Sequence, residues 1–159
     1  MLICYKLVMV NLLANRGIMK NSESNEFVVN LDQNQYQWDN RVVLITEDEE
    51  VNFFYLKTIF KKTDAKIIRA RNGKEAVEII KQHHGDIDLI LMDLNMPIMD
   101  GYEAMRIIKS EHPQIPIIAQ TAYTLTEDRH KCLKAGFNDY ISKPINRVAL
   151  FRLVNENLS

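Results

Sequence analysis

The sequence predicts an α/β protein built around a parallel sheet with helices on both of its faces. From residue 41 onward, short apolar runs of strand length alternate with segments of helical periodicity. The strand-like runs are almost continuously apolar, which is typical of strands buried on both sides. Five strands alternating with five helices therefore indicate a parallel sheet covered by helices, within a chain long enough for one domain of ordinary size.

The predicted elements follow one another in strict alternation. The strands are expected at Arg41–Thr46, Ala65–Ala70, Asp88–Met92, Pro116–Gln120 and Asp139–Ser142. The helices are expected at Val51–Lys62, Gly73–His83, Tyr102–Glu111, Glu127–Ala135 and Asn146–Asn157. Helical spacing gives the first helix an apolar face made of Val51, Phe54, Tyr55, Thr58 and Ile59. The third strand ends at Asp93, directly before a loop that contains proline.

The chain divides near residue 40. Residues 1–40 carry ten Asn or Gln residues and no Pro, and we interpret them as a leader or linker, partly disordered, with a short ordered piece around Phe27–Leu31. The first 14 residues are apolar but too short to span a bilayer, and Lys6 interrupts them. Two explanations stay open for this apolar start: a signal peptide, although a clear small-x-small cleavage site is lacking, or a start site placed too far upstream, since Met19 opens an ordinary polar leader. Residues 41–159 form the predicted domain.

Composition excludes several classes of protein. Lys plus Arg number 20 and Asp plus Glu number 21, giving a net charge of −1, which argues against a strongly basic nucleic-acid binder. The two cysteines, Cys4 and Cys132, lie far apart and form no CxxC pair, so neither a disulfide framework nor a zinc site is indicated. We expect a cytoplasmic protein that binds neither nucleic acid nor membrane.

Function is expected at the carboxyl ends of the strands, where open α/β sheets place their working residues. Glu47 and Asp48 follow the first strand, Asp93 ends the third, Thr121 follows the fourth and Lys143 follows the fifth. Each has an ordinary explanation alone: acids favour helix N-termini, aspartate forms turns, and a single lysine is usually solvated. Their convergence from separate strand ends favours a site instead.

The chemistry of such a cluster points to phosphoryl transfer. Converging carboxylates repel one another unless a counter-ion is present, and Mg²⁺ accepts carboxylate oxygens while keeping part of its water shell. Asp93 can then act as a carboxylate nucleophile toward phosphorus. Thr121 and Lys143 lie where they can bind phosphoryl oxygens. The sequence therefore predicts an aspartate that accepts phosphate.

Other chemistries lack their motifs. The sequence contains no GxxxxGK[ST], no GxGxxG and no GxSxG, so neither a nucleotide-binding loop nor a serine hydrolase is indicated. The loop after the first strand reads TEDEE, which would repel a cofactor phosphate. The four histidines show no metal-ligand spacing such as HExxH and are interpreted as surface residues.

Four motifs resemble the receiver domains of two-component response regulators. They are VLITEDEEVN, LILMDLNMPIMDGYE, PIIAQTAYT and DYISKPI, and the resemblance covers residues 41–159. The run TAYTLTEDRHKCLKAGFNDYISKPI is most similar to receivers carried by hybrid histidine kinases. The resemblance implies a flavodoxin-like (βα)5 fold whose parallel strands have the order 2-1-3-4-5.

The resemblance also implies a role for each site residue. Asp93 would be the phosphoacceptor and would ligate Mg²⁺ together with Asp48 and the backbone carbonyl of Asn95. Glu47 would help through a water molecule, and stands where the family more often has aspartate. Lys143 would pair with Asp93 and then with its phosphate.

The resemblance further implies a switch. Thr121 would move toward the phosphoryl group and the ring of Tyr140 would follow it inward, while Ala122 supplies a small side chain beside the phosphate. The Lys143–Pro144 bond is similar to one that the family often holds cis. The expected output surface is the fourth helix, fifth strand and fifth helix, recognised by a partner protein or by a second copy in a phosphorylation-dependent homodimer.

The expected function is therefore that of a phosphorylated signalling switch rather than an enzyme. Its partner would be a histidine kinase or a histidine phosphotransfer protein, within a free-standing regulator, a phosphorelay intermediate or a fragment of a hybrid kinase. Two alternatives stay open. One is an aspartyl-phosphate phosphatase, although Asn95 stands where such enzymes carry a second aspartate; the other is a docking module that works without phosphorylation.

Overall fold

Five parallel strands form one sheet in the order β2-β1-β3-β4-β5. A computed structural model describes residues 36–122 and 126–158, and for residues 126–128 the backbone alone. The strands are β1 Val42–Thr46, β2 Lys66–Ala70, β3 Leu89–Asp93, β4 Ile117–Thr121 and β5 Asp139–Ser142. The predicted strand order and all-parallel arrangement are confirmed.

Helices follow each strand, as the alternating pattern predicts. They are α1 Glu50–Phe60, α2 Gly73–His83, α3 Gly101–Glu111, α4 Thr126–Ala135 and α5 Arg147–Leu158, with a short 3₁₀ helix at His84–Asp86. Local sequence fixes two of the starts, because Asn72 accepts a hydrogen bond from the backbone N–H of Glu75 and Asp100 accepts one from Glu103. Among the described residues, none of these helices is long and apolar enough to cross a membrane.

The sheet separates two apolar cores. Helices α2, α3 and α4 cover one face, where Leu44 and Ile90 are fully buried. Helices α1 and α5 cover the other face, which contains Ile45 and Leu91. Neighbouring residues of one strand thus point into different cores, as the pleat requires. This double burial explains why the strands are continuously apolar in the sequence.

The apolar face predicted for α1 lies mostly outside the core. Val51 is 78% exposed and Phe54 58% exposed, whereas Phe53, Leu56 and Phe60 are buried. Both sets have helical spacing, so periodicity alone does not distinguish them. Phe53, Leu56 and Phe60 are the side chains of α1 that pack in the core, and the predicted set lies on the solvent side.

The last residues before β1 belong to the folded core. Trp38 is 5% exposed, and its ring lies 5.6 Å from that of Phe60 and 5.2 Å from that of Phe151. The backbone N–H of Trp38 also donates to the carbonyl of Thr63. The sequence places this tryptophan in the leader, yet it packs between α1 and α5. The ordered piece predicted at Phe27–Leu31 lies outside the described residues.

One close backbone approach shapes the sheet edge where the polar residues gather. Gly101, the first residue of α3, lies so near the end of β3 that a Cβ atom there would come within 2.3 Å of the carbonyl oxygen of Asp93. Its N–H donates to the carbonyl of Leu94. Glycine is therefore required at this position, and it fixes the loop between β3 and α3 against the strand end.

Candidate functional site

Three carboxylates meet at the carboxyl edge of the sheet. Glu47 and Asp48 follow β1, and Asp93 is the last residue of the adjacent strand β3. One carboxylate oxygen from each lies within 4.8 Å of the other two. Within the described part of the chain, this is the group of acidic, histidine and cysteine side chains close enough to share a metal ion. The structure thus brings together the acids that the sequence placed at two strand ends.

Lys143 joins two of these acids from the far side of the site. It follows β5, and its ammonium group donates to the carboxylates of both Asp93 and Glu47, the latter at 2.9 Å. Burial acts to lower the pKa of Lys143, but the hydrogen bonds and charges of Asp93 and Glu47 outweigh it, so that its pKa is raised. The ammonium form is therefore held firmly. The Lys143–Pro144 peptide bond is cis, as expected from the resemblance.

Glu47 is the most deeply buried acid of the cluster, with no exposed surface. Its carboxylate accepts hydrogen bonds from Lys143, from the side-chain amide of Asn52 at 3.2 Å and from the backbone N–H of Glu49 at 3.3 Å. Burial nevertheless raises the pKa of Glu47, and the nearby Asp93 charge adds to the effect, while Lys143 and Asn52 act against it.

Asp93 faces an open cleft. One of its oxygens accepts from the backbone N–H of Asn95 at 3.1 Å, which holds the loop after β3 against the carboxylate. The cleft has a volume of about 310 Å³. Its lining residues are Asp48, Glu49, Asn52, Asp93, Asn95, Ala122 and Lys143. A small phosphate-bearing group can enter such a space and reach the Asp93 carboxylate.

Thr121 and Tyr140 lie on the same face of the sheet. Thr121 ends β4 and is 1% exposed, and its carbonyl accepts from the backbone N–H of Lys143 at 2.7 Å. Tyr140 pairs in register with Ala119, two residues before Thr121, and is half-buried against the α2–α4 side of the sheet. The guanidinium of Arg129 lies 5.9 Å from its ring. Thr121 is absent from the described lining of the cleft, and its neighbour Ala122 lines it instead.

Two residues that the sequence did not single out also belong to the site. Asn52, on the first turn of α1, contacts Glu47 and Glu49. Arg69, near the end of β2, donates to the backbone carbonyls of Glu47 and Asp48. Asn52 is the last residue of the VLITEDEEVN motif but received no role there, and Arg69 lies outside the four motifs. Helical spacing after the acidic loop brings Asn52 back to Glu47. The pairing of β2 with β1 brings Arg69 beside the same loop, and that pairing is known only from the structure.

The donor atoms of the cluster fit a hard divalent cation. Carboxylate and backbone carbonyl oxygens are the ligands that Mg²⁺ takes, and nitrogen or sulfur ligands are lacking in the described cluster. Burial raises the pKa of Glu47, and a divalent cation bound near it, in addition to the Lys143 ammonium, would favour the charged carboxylate. The side chains close enough to share such an ion are those of Glu47, Asp48 and Asp93.

Together, the fold and the site define a class. It is a doubly wound α/β protein with an acidic, lysine-capped cleft at the carboxyl edge of its sheet. Residues 43–155 match the model of the response regulator receiver domain, which spans more than half of the chain. The chain belongs to the family of response regulator receiver domains.

Relatives come from two kinds of protein. The chain is 36% identical over 119 residues to hybrid signal transduction histidine kinase M of Dictyostelium discoideum, covering 72% of this chain and 5% of that protein. It is 36% identical over 106 residues to the polar-differentiation response regulator DivK of Brucella ovis, covering 65% of this chain and 85% of that protein. It therefore spans only a small part of the hybrid kinase but most of the short regulator.

Solved structures agree with this family. The receiver domain of sensor histidine kinase PA1611 from Pseudomonas aeruginosa, which has a magnesium ion coordinated in its active-site cleft, is 34% identical with a TM-score of 0.68 over 75% of this chain and 98% of that one. The receiver domain of Saccharomyces cerevisiae Ssk1, in a complex with the histidine phosphotransfer protein Ypd1, is 35% identical with a TM-score of 0.68 over 74% and 88%.

Proposed function

We propose that Asp93 accepts a phosphoryl group from a phosphohistidine on a partner protein, in a reaction that depends on Mg²⁺. The observation that carries this is the Asp93 carboxylate, which opens onto a cleft while Lys143 and two further acids surround it. Phosphoryl transfer requires mainly positioning and charge stabilisation, and this cluster offers both. The whole function is that of a two-component or phosphorelay switch.

The proposed reaction uses the groups of the cleft in turn. One Asp93 oxygen attacks phosphorus, the P–N bond to the donor imidazole breaks, and that imidazole takes up a proton from solvent. Lys143 already donates to Asp93, and it is placed to bind the negatively charged phosphoryl oxygens once Asp93 is phosphorylated. Mg²⁺, when bound by Asp48, Asp93 and the Asn95 carbonyl, supplies positive charge to the phosphoryl oxygens. Thr121 is assigned the remaining phosphoryl contact.

The donor is proposed to approach over α1. Val51, Phe54 and Tyr55 form an exposed apolar strip there, and Tyr55 donates to the carbonyl of Ile145 at 3.0 Å. A groove of about 430 Å³ runs from this strip to Lys143, bounded by Pro144 and Ile145 among others. Exposed apolar surface beside a polar cleft is typical of a protein-binding site. A histidine phosphotransfer protein, such as the partner of Ssk1, or a histidine kinase is the proposed occupant.

The surface formed by α4, β5 and α5 is proposed to be the one whose conformation changes on phosphorylation. Tyr140 lies on β5, on the same face of the sheet as Thr121, so that a hydroxyl moving toward phosphate opens space for its ring. A change from 1:99 to 99:1 between two states requires about 5.5 kcal/mol of differential stabilisation. Contacts that Lys143 and Thr121 make only to the phosphoryl group are the proposed source. A partner or a second copy would bind this surface.

We assign residues 1–40 as leader and 41–159 as receiver, with the end of the leader packed on the core through Trp38. The protein is proposed to act in the cytoplasm, as a switch that assists its own phosphorylation and dephosphorylation rather than as an enzyme for other substrates.

The test is phosphorylation by a small donor. Incubation with acetyl phosphate and Mg²⁺ is expected to add one phosphate to the intact mass, and EDTA or Asp93→Asn is expected to abolish it. Asp86→Asn, which changes an exposed aspartate before the start of β3, at the opposite end of that strand from Asp93, is the matched control and should label normally. A protein that shows no adduct, and no binding of beryllofluoride, is not a receiver switch. Rapid turnover of unrelated phosphate esters would favour a phosphatase instead.

A further inference from the structure

Arg69 reaches from β2 to the loop that carries the acids. Its side chain is 11% exposed, and it is the residue before Ala70, whose carbonyl accepts from the N–H of Glu47. The guanidinium lies 4.4 Å from the centre of the Phe53 ring, which supports its flat face. The guanidinium is thus held in one place beneath the β1–α1 loop.

The polar edge of this guanidinium binds the loop backbone on both sides of Asp48. The carbonyl of Glu47 accepts from Nε at 3.3 Å and from a terminal nitrogen at 3.2 Å, and that nitrogen also donates to the carbonyl of Asp48 at 3.3 Å. The other terminal nitrogen donates to the carboxylate of Glu50 at 2.6 Å. Arginine alone among side chains has donors in a fixed fork that can do this.

These contacts constrain the backbone on both sides of the Asp48 Cα. The Glu47 carbonyl belongs to the peptide plane before Asp48, and the Asp48 carbonyl belongs to the plane after it. Because peptide units are planar, fixing both planes fixes the two backbone torsions of Asp48 and therefore the direction of its Cβ. The other contacts of this loop involve Glu47 and Glu49, because the N–H of Glu49 donates to the Glu47 carboxylate and the side-chain amide of Asn52 donates to both acids.

We infer that Arg69 is a positioning residue for the divalent cation. Its guanidinium holds the Asp48 backbone in the conformation that binds the ion, before the ion is bound. This inference rests on the proposed function, because it assumes that Mg²⁺ binds the acidic cluster. Groups that orient metal ligands typically change metal affinity by 10- to 100-fold when they are removed. Loss of the fork is expected to weaken Mg²⁺ binding about tenfold.

The experiment titrates metal-free protein with Mg²⁺ by calorimetry. Wild type, Arg69→Met, Arg69→Lys and Glu50→Gln are compared, with circular dichroism and the fluorescence of the single tryptophan reporting that each is folded. Both Arg69 variants are expected to bind about tenfold more weakly, since a lysine keeps the charge but not the fork. Glu50→Gln removes the exposed ion pair alone and is expected to bind within about twofold of wild type.

Hydrogen exchange of the metal-free proteins provides a second measurement that does not involve the ion. Peptides covering the loop after β1 should exchange faster in both Arg69 variants, with the rest of the sheet unchanged. Wild-type affinity in Arg69→Lys would show that charge alone matters, and equal losses in Glu50→Gln would assign the effect to the ion pair; either result overturns the inference. A wild type that does not bind Mg²⁺ overturns the metal site of the proposed function, and this inference with it.

Discussion

Replacing Lys143 by methionine tests the electrostatic design of the site. The substitution keeps most of the volume of the side chain but removes the ammonium group that bonds Asp93 and Glu47. The two carboxylates are then left without that counter-charge in a place where Glu47 has no exposed surface. We expect a large destabilisation that either protons or Mg²⁺ can reverse.

The distance between the carboxylates gives the magnitude. One oxygen from each carboxylate lies within 4.8 Å of the other, and two unit charges at that limit repel by about 3.5 kcal/mol at an effective dielectric constant of about 20. Breaking a buried pair by removing one partner costs about 3–5 kcal/mol in other proteins, in agreement with this figure. Domains of this kind have about 5–15 kcal/mol of stability in total, so Lys143→Met should fold but be clearly weakened.

The pH dependence follows from the same charges. Without Lys143, burial and the Asp93 charge are left to raise the pKa of Glu47 with less opposition. The folded state then binds more protons than the unfolded state between the ordinary carboxyl pKa and the raised one, so its stability falls as the pH rises through that window. The deficit relative to wild type should be about 3 kcal/mol near about pH 8 and clearly smaller near about pH 5.

Urea unfolding followed by circular dichroism measures this deficit. It is recorded at both pH values in EDTA, and again near neutrality with saturating Mg²⁺, which should recover much of the loss. Lys74→Met, an exposed lysine on α2, is the control and should change stability by less than about 0.5 kcal/mol. A deficit below about 1 kcal/mol, or one that neither acid nor Mg²⁺ reduces, would refute the electrostatic reasoning.

Three further substitutions test other parts of the structure. Trp38→Ala should cost about 3–5 kcal/mol in urea unfolding, because the ring is buried between Phe60 and Phe151; a loss under about 1 kcal/mol would mean that the residues before β1 do not stabilise the domain. Ile98→Gly should raise the melting temperature by about 2–4 °C, since Ile98 is 79% exposed and has a φ of 72°, which costs a β-branched residue more than glycine; an unchanged or lower value would contradict this. Glu47→Gln should stabilise the metal-free protein near neutral pH, because the raised pKa of Glu47 means that its charge opposes folding there, and should reduce the thermal shift produced by Mg²⁺; a destabilised variant would show that Lys143 needs both acids.

The core of the site could be predicted from the sequence because a parallel sheet imposes it. Apolar runs locate the strands, and each strand end then supplies a residue to one edge. Asp93 and Lys143 are 50 residues apart in the chain, yet their side chains are in contact. The same reasoning placed Glu47 and Asp48 beside Asp93. These predictions needed the alternation of elements but no knowledge of side-chain packing.

The remaining features depend on packing that periodicity does not reveal. Helix α1 has apolar residues on two faces, and the structure buries Phe53 while leaving Phe54 58% exposed. Trp38 follows a polar segment, and its burial depends on a space between two helices far apart in the chain. Arg69 lies within a strand and gives no sign in the sequence that it binds the acidic loop.

The direct contact between Lys143 and Glu47 is another feature that depends on packing. The family resemblance implies that Lys143 pairs with Asp93, and assigns Glu47 an indirect role through water. In the structure the longer glutamate side chain accepts a hydrogen bond from Lys143 as well as from Asn52. Side-chain length decides this contact, and strand order alone does not contain that information.

Identification of the phosphorylated residue is the most direct test of the central claim. After phosphorylation by acetyl phosphate in Mg²⁺, borohydride reduces an acyl phosphate of aspartate to homoserine, which peptide mass spectrometry locates. The account predicts homoserine at position 93 and at no other aspartate, and none in protein treated with EDTA. Homoserine at Asp48 instead, or a phosphate that resists borohydride, would contradict the assignment of Asp93 as the phosphoacceptor.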